Sequence, residues 1–152
     1  MTGDIWRIVA TFIGCVSFSI FFNLKKERLL YAATLGTLSG AIYIYCCKVF
    51  PENVFLANMI PAVIGTLLSE LSARWKKAPA IIFILPSIII LIPGGSFYYT
   101  MSHLVMGNQE LFKEWGSKTL LAALGISVGI IVASFLFYEV LTLINYLKRK
   151  KA

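Results

Sequence analysis

The residues of this sequence that are best suited to chemistry form one short run, Pro93-Gly94-Gly95-Ser96, inside a long apolar segment. Proline has no backbone N–H and clashes with the carbonyl four residues earlier, and glycine disfavours helix, so a helix should break near Pro93. The N–H groups of the second half-helix, from Ser96 onward, together with the positive end of its dipole, form a site for an anion such as a carboxylate. A structural kink that neighbouring helices satisfy is the alternative.

Three further polar side chains are candidates for the same site. Tyr98 and Tyr99 follow the break and add hydroxyl donors. Asn58 joins them from the small-residue face of an earlier apolar segment. The candidate substrate site therefore consists of Asn58, Pro93, Gly94, Gly95, Ser96, Tyr98 and Tyr99.

Three titratable side chains fall inside or at the edge of apolar segments. His103 lies on nearly the same helix face as Ser96 and is a candidate proton relay. Glu139 is the second candidate for proton coupling. An ionised carboxylate near the centre of a membrane helix costs about 2.5–3.5 kcal/mol, and snorkelling reduces this cost in the cytoplasmic half, where Glu139 lies. Glu70 precedes Arg74 by one helical turn in the favourable order, which predicts an ion pair at the membrane boundary.

The composition of the chain requires a bilayer. Of 152 residues, 59% are hydrophobic and 14% are charged, and the mean hydropathy is +0.82. A soluble domain is about half apolar and about a quarter charged, and a domain of this size cannot bury the excess. The apolar residues come in unbroken runs of about twenty, the length that crosses a hydrocarbon core roughly 30 Å thick.

These runs predict an all-α, polytopic membrane protein with five transmembrane helices in a single domain over residues 1–152. The fourth helix is predicted to be one crossing that is broken at Pro93-Gly94-Gly95, and a re-entrant hairpin is the alternative. The predicted spans cover residues 5–24, 29–50, 54–73, 80–106 and 119–147.

The basic residues predict the orientation of these spans. Ten of the 14 Lys and Arg lie in the first loop, the third loop and the C-terminal tail, and the other four lie on the opposite side. This asymmetry places the N-terminus outside and the C-terminus in the cytoplasm. It also explains the net charge of +7 through anionic lipid headgroups, without nucleic acid, for which the sequence shows no motif.

Small residues recur on the faces of three predicted helices. Gly36 and Gly40 on the second span, like Gly125 and Gly129 on the fifth, have small-xxx-small spacing, and Gly65 lies on the small-residue face of the third. Lipid tails are as apolar as leucine, so membrane helices associate through small residues that permit close approach. These five glycines predict a tightly packed bundle.

The sequence has no pattern typical of an enzyme. It has no nucleophile with an adjacent base and no phosphate-binding loop, and its three cysteines fall inside spans without His or carboxylate at ligand spacing. We therefore predict that the chain is not an enzyme and uses no metal or cofactor.

The order of these features resembles the threonine/serine exporter family. The resemblance is closest to the C-terminal five-helix half of the exporter, which also occurs as a separate small subunit. The matching pieces are Phe22-Asn23, Leu35-Gly36-Thr37-Leu38-Ser39-Gly40, Phe55-Leu56-Ala57-Asn58 through Gly65, Ser69 to Trp75, Pro86-x6-Pro93-Gly94-x3-Tyr98 and Thr100-Met101. The family has a single glycine after the proline, where this chain has Gly94-Gly95.

The resemblance implies a function, a location and a partner. It implies proton-driven export of threonine, serine or related carboxylates such as succinate across the bacterial inner membrane. It also implies a hetero-oligomer with a larger exporter-family membrane subunit, because this chain corresponds to one half of the exporter. Two other functions remain open from the residues: an accessory membrane protein that stabilises or regulates a partner without binding substrate, and a self-assembling channel.

Overall fold

The computed structural model describes residues 2–151, apart from the side chains of Thr2, Asn145, Lys148, Arg149 and Lys151. The described residues form helices and connecting turns, with no strand, which confirms the all-α prediction. The helices, in chain order, are α1 (Thr2–Phe21), α2 (Lys26–Val49), α3 (Val54–Trp75), α4 (Ile81–Ile89), α5 (Gly94–Val105) and α6 (Gln109–Lys151).

Four of the helices are long and apolar enough to cross a membrane by themselves, namely α1, α2, α3 and α6. The pair α4 and α5 also passes this test when the two are taken together, and they meet at an angle of 56°. The chain is therefore a multi-pass membrane protein, with a fifth crossing if the bent pair forms one span.

The bend lies where the proline predicts it. Helix α4 ends at Ile89, four residues before Pro93. In a continued helix the Pro93 ring would clash with the Ile89 carbonyl, which instead accepts the Ile92 N–H at 3.3 Å. Helix α5 then begins at Gly94, two positions before the predicted start at Ser96. The reason is that Pro93, with φ −76°, serves as the N-cap, and the two glycines take helical geometry directly after it.

Helix α6 is longer than the fifth predicted span. It begins at Gln109, not at residue 119, and its 43 residues extend about 65 Å. The polar stretch before residue 119 stays helical because Asn108 Oδ1 accepts the Leu111 N–H at 3.2 Å and Lys118 pairs with Glu114 one turn away. The charged composition of this stretch is typical of a loop, but the spacing of the charged residues stabilises a helix.

Helix α3 is the centre of the bundle, since it packs against α2, α4 and α6. Its contact with α6 is close because Gly125 lies directly against the Phe55 carbonyl oxygen, where no Cβ would fit. A Cβ on Gly129 would come within 2.8 Å of Ala62 Cβ and of the Met59 carbonyl oxygen. The backbones of α3 and α6 therefore touch along this stretch.

The remaining glycines of the predicted packing set lie at other helix contacts. A Cβ on Gly36 would come within 2.6 Å of the Pro86 carbonyl oxygen, and one on Gly40 within 2.6 Å of Thr11 Cγ2. Gly65 of α3 lies against the Ser39 hydroxyl of α2. A larger side chain at Gly36 would push against backbone, whereas at Gly40 and Gly65 the neighbouring Thr11 and Ser39 side chains would have to move.

The two ends of the bundle are defined by contacts between neighbouring helices. At the end where α1 begins, called here the N-terminal end, Lys48 Nζ lies 2.7 Å from Asp4 Oδ2. At the opposite end, the rings of Tyr31 and Trp75 pack edge to face with centroids 6.2 Å apart. The predicted orientation would put the N-terminal end outside the cell and the opposite end in the cytoplasm.

Candidate functional site

A cavity of about 340 Å³ lies at the break between α4 and α5. Its wall includes the Pro93-Gly94-Gly95-Ser96 run, Asn58 of α3, Tyr43 of α2 and Lys118 of α6. Five of the seven residues of the candidate substrate site thus share one cavity, although Asn58 is far from the others in sequence.

The first turn of α5 supplies backbone donors to this cavity. No side chain caps the helix. The Gly94 N–H donates to the Ile92 carbonyl at 2.7 Å and the Phe97 N–H to the Pro93 carbonyl at 3.0 Å. Within the described part of the chain, the N–H groups of Gly95 and Ser96 have no backbone or capping acceptor. They lie at the positive end of the helix dipole, which favours an anion.

Gly94 and Gly95 keep the wall of the cavity open. A Cβ built on either glycine would meet no atom within 4 Å, and neither has a positive φ. They are therefore required by neither the backbone geometry nor the packing of the helices. Their lack of side chains leaves the helix terminus accessible from the cavity.

Lys118 adds a positive charge to the same wall. Its Nζ lies 2.6 Å from Glu114 Oε1 and 4.7 Å from the centre of the Trp115 ring, and its side chain is 41% exposed. Lys118 is not among the predicted site residues, because the stretch before residue 119 has the composition of a loop. The i,i+4 spacing of Glu114 and Lys118 was the available sign that the helix begins earlier.

Asn58 supplies an acceptor that has no partner. The residue is 2% exposed, and its Nδ2 donates to the Val54 carbonyl at 2.8 Å, while its Oδ1 has no hydrogen-bond partner among the described residues. A buried polar atom without a partner costs about 1–3 kcal/mol. A ligand in the cavity that carries a hydroxyl or ammonium group would satisfy it.

Tyr98 and Tyr99 lie outside the cavity wall. Tyr98 is 67% and Tyr99 48% exposed, on the outer face of α5. The Tyr99 ring packs on Trp115 with centroids 4.9 Å apart, and the Trp115 ring also lies beneath Lys118. Tyr99 is thus connected to the cavity through Trp115 and Lys118, whereas Tyr98 contacts the Tyr99 ring.

The two candidate proton-coupling residues lie away from the cavity and from each other. His103 is half-buried and borders a separate space of about 140 Å³ beside the α5–α6 turn. Glu139 is exposed on α6, inside the stretch of that helix that is apolar enough to cross a membrane.

Glu70 has a different partner from the predicted one. Ser134 Oγ of α6 donates to Glu70 Oε1 at 3.5 Å, and the Arg74 guanidinium lies 5.4 Å from the centre of the Phe137 ring. The predicted ion pair between Glu70 and Arg74, both in the described part of the chain, is therefore wrong: no N···O contact within 4 Å joins them. Helix α6 offers each of these side chains another partner.

A second cavity, of about 510 Å³, lies beside Glu70 at the end of the bundle opposite the first cavity's helix terminus. Arg74, Lys77 and the start of the connection to α4 complete its wall. Among the described residues, no group of three or more His, Cys, Asp or Glu is placed to hold a metal ion. The walls of the two cavities supply hydrogen-bonding groups and charged side chains that can bind a small polar solute.

Comparison with protein families gives one match that covers most of the chain. The family described as "Threonine/Serine exporter, ThrE" matches residues 7–136. No curated protein and no solved structure matches the chain. The matched range includes every residue of the first cavity and excludes the end of α6, with Glu139.

Proposed function

The chain belongs to the threonine/serine exporter family, and on that basis we propose that it is the small subunit of a two-component secondary transporter. Membership of the family makes it a membrane exporter, and a transporter has no need of catalytic groups. The substrates that we propose are threonine, serine or a related carboxylate such as succinate. The membrane that we propose is the bacterial inner membrane, with the N-terminus outside and the C-terminus in the cytoplasm.

The observation that carries this proposal is the convergence of three kinds of group in the first cavity. The open N-terminus of α5 and the Lys118 ammonium attract a carboxylate. The unpartnered Asn58 Oδ1 accepts a hydrogen bond from a hydroxyl or ammonium group. A small hydroxy amino acid carries all three complementary groups, and its carboxylate would lie at Gly95 and Ser96.

A larger exporter-family subunit is part of the proposal because of the exposed face of α6. Glu139 is exposed on this face, inside the stretch of α6 that is apolar enough to cross a membrane, and an ionised carboxylate against lipid costs up to about 2.5–3.5 kcal/mol there. A partner that covers this face would remove that cost. We therefore place the partner against α6 and propose that Glu139 and His103 couple transport to the proton gradient.

The test of the proposed function is reconstitution with and without the larger subunit. The complex in liposomes should transport radiolabelled threonine, serine or succinate in response to a pH gradient, and this chain alone should not. Complete transport by this chain alone would contradict the two-component proposal. A complex that assembles but transports none of the three would favour an accessory role, and conductance without gradient-coupled exchange would favour a channel.

A further inference from the structure

Most Ser and Thr hydroxyls of the membrane helices donate a hydrogen bond to a carbonyl of their own helix. Thr11, Ser19, Thr37 and Thr100, for example, each donate to the carbonyl four residues earlier, at 2.7–2.8 Å. This bond needs no partner from another helix, and it is the usual way in which a hydroxyl in lipid is satisfied.

Two buried hydroxyls have no hydrogen-bond partner among the described residues, and both are in contact with or next to Gly65. Ser39 on α2 is 1% exposed and Thr66 on α3 is fully buried, and neither hydroxyl oxygen has a hydrogen-bond partner among the described residues. Because Ser39 Oγ lies against Gly65, its hydroxyl is directed into the contact between α2 and α3. Unpartnered polar atoms in an apolar core are rare, so each of these two hydroxyls requires an explanation.

A third helix brings its hydroxyl to the same place. A Cβ on Gly65 would come within 3.6 Å of Ser87 Cβ on α4. Ser87 Oγ lies 3.0 Å from Ser69 Oγ on α3, and both residues are buried. Helices α2, α3 and α4 therefore meet at Gly65 with hydroxyl groups from all three.

This cluster lies between the two cavities. Along α3, Asn58 of the first cavity is about 10 Å from Gly65, and Glu70 of the second is about 8 Å beyond it, at 1.5 Å per residue. Ser69 adjoins Glu70 in the chain, and Thr66 lies one turn before Glu70 on nearly the same face. The hydroxyl cluster thus lies along α3 between the two cavities, which are at different ends of the bundle.

We propose that the hydroxyls of Ser39, Thr66, Ser69 and Ser87 line the translocation path of the exporter, and that the Ser39–Gly65 contact is its closed constriction in this conformation. The path carries a small polar solute between the cavities, and its hydroxyls replace water around that solute when the helices separate. This inference rests on the proposed export function and adds to it the route inside this subunit.

The test compares substitutions that remove unpartnered and partnered hydroxyls. Thr66→Val and Ser39→Ala remove the unpartnered groups, and Thr37→Val and Ser127→Ala, whose hydroxyls bond to their own helices, are the matched controls. Each variant is purified in complex with the larger subunit, its Tm is measured, and initial rates of radiolabelled threonine transport are recorded in liposomes. The threonine-induced rise in Tm reports binding in the first cavity.

The path predicts a separation of transport from stability and binding. Thr66→Val and Ser39→Ala should keep or raise the Tm and keep the threonine-induced shift, while the transport rate falls about tenfold, equal to about 1.4 kcal/mol in the barrier. The control variants should transport at the wild-type rate. Wild-type rates in both test variants would overturn the path and leave the exporter intact, whereas a wild-type complex that transports no substrate would overturn the proposed function itself. If Thr66→Val fails to assemble, Ser39→Ala decides between these outcomes.

Discussion

Lys118 Nζ and Glu114 Oε1 are 2.6 Å apart, one helical turn from each other, and only Lys118 of the two belongs to the wall of the first cavity. The pair holds the ammonium at the edge of the cavity while both side chains stay about half exposed. An incoming carboxylate therefore competes with Glu114 for one positive charge. A partly exposed pair of this kind contributes at most about 1 kcal/mol, so a ligand can displace it.

Substitution of Lys118 should weaken binding of the substrate carboxylate. Lys118→Gln should raise the KM for threonine about tenfold in the reconstituted complex, because a charge-assisted hydrogen bond contributes roughly 1.5–3 kcal/mol. Lys113→Gln, an exposed lysine on the same helix, is the control and should leave the KM unchanged. Equal effects of the two variants would indicate that only the overall charge matters.

Filling the first cavity from its wall should stop transport without harming the fold. The Cβ that Gly94→Leu adds would meet no atom within 4 Å and the rest of its side chain would extend into the cavity, so the Tm of the complex should change little while transport is lost. Gly116→Ala, whose added Cβ would meet Thr100 Cγ2 at 3.5 Å, is a control that should keep both properties. Unchanged transport by Gly94→Leu would remove the α5 terminus from the substrate site.

Adding a methyl group at the contact between α3 and α6 should instead lower the stability of the protein. Gly125→Ala places a Cβ against the Phe55 carbonyl oxygen and forces the two helices apart, at a cost of about 1–3 kcal/mol. The Tm of the purified protein should fall, and the same substitution at Gly94 is the matched control that should not lower it. A Tm for Gly125→Ala equal to that of the wild type would contradict the close packing of α6 on α3.

Neutralising the proton-coupling candidates should separate exchange from accumulation. In Glu139→Gln and His103→Gln complexes, we expect threonine counterflow at zero pH gradient to persist and gradient-driven accumulation to be lost. The reason is that a neutral residue still permits movement of the carrier with substrate but binds no proton. Retained accumulation in either variant would exclude that residue from coupling, and loss of counterflow as well would indicate a structural role.

The helical content and the break were predictable because they depend on local chemistry. Apolar runs of sufficient length must be helical in lipid, where backbone groups have no water to bond. Proline acts on the residue one turn before it, so the end of α4 at Ile89 follows from the position of Pro93. Neither result requires knowledge of how the helices pack.

The partners of the polar side chains were less predictable because they depend on packing. Glu70 and Arg74 are at ideal spacing for an ion pair, yet Ser134 and Phe137 of α6 contact them instead. Likewise, Tyr98 and Asn58 are both polar, but only Asn58 faces the cavity. Which face of a helix meets the interior is decided by distant glycines such as Gly125, and these pairings between helices are not specified by local sequence.

The glycine contact of α6 also has a mechanical consequence. Gly125 and Gly129, which lie against α3, are located between Lys118 at one cavity and Ser134 beside the other. At 1.5 Å per residue, both arms are of similar length, about 10–14 Å from the middle of that contact. Because a continuous helix is stiff, a tilt about the middle of this contact would move Lys118 and Ser134 in opposite directions. A tilt of α6 that widened one cavity on its side would therefore narrow the other.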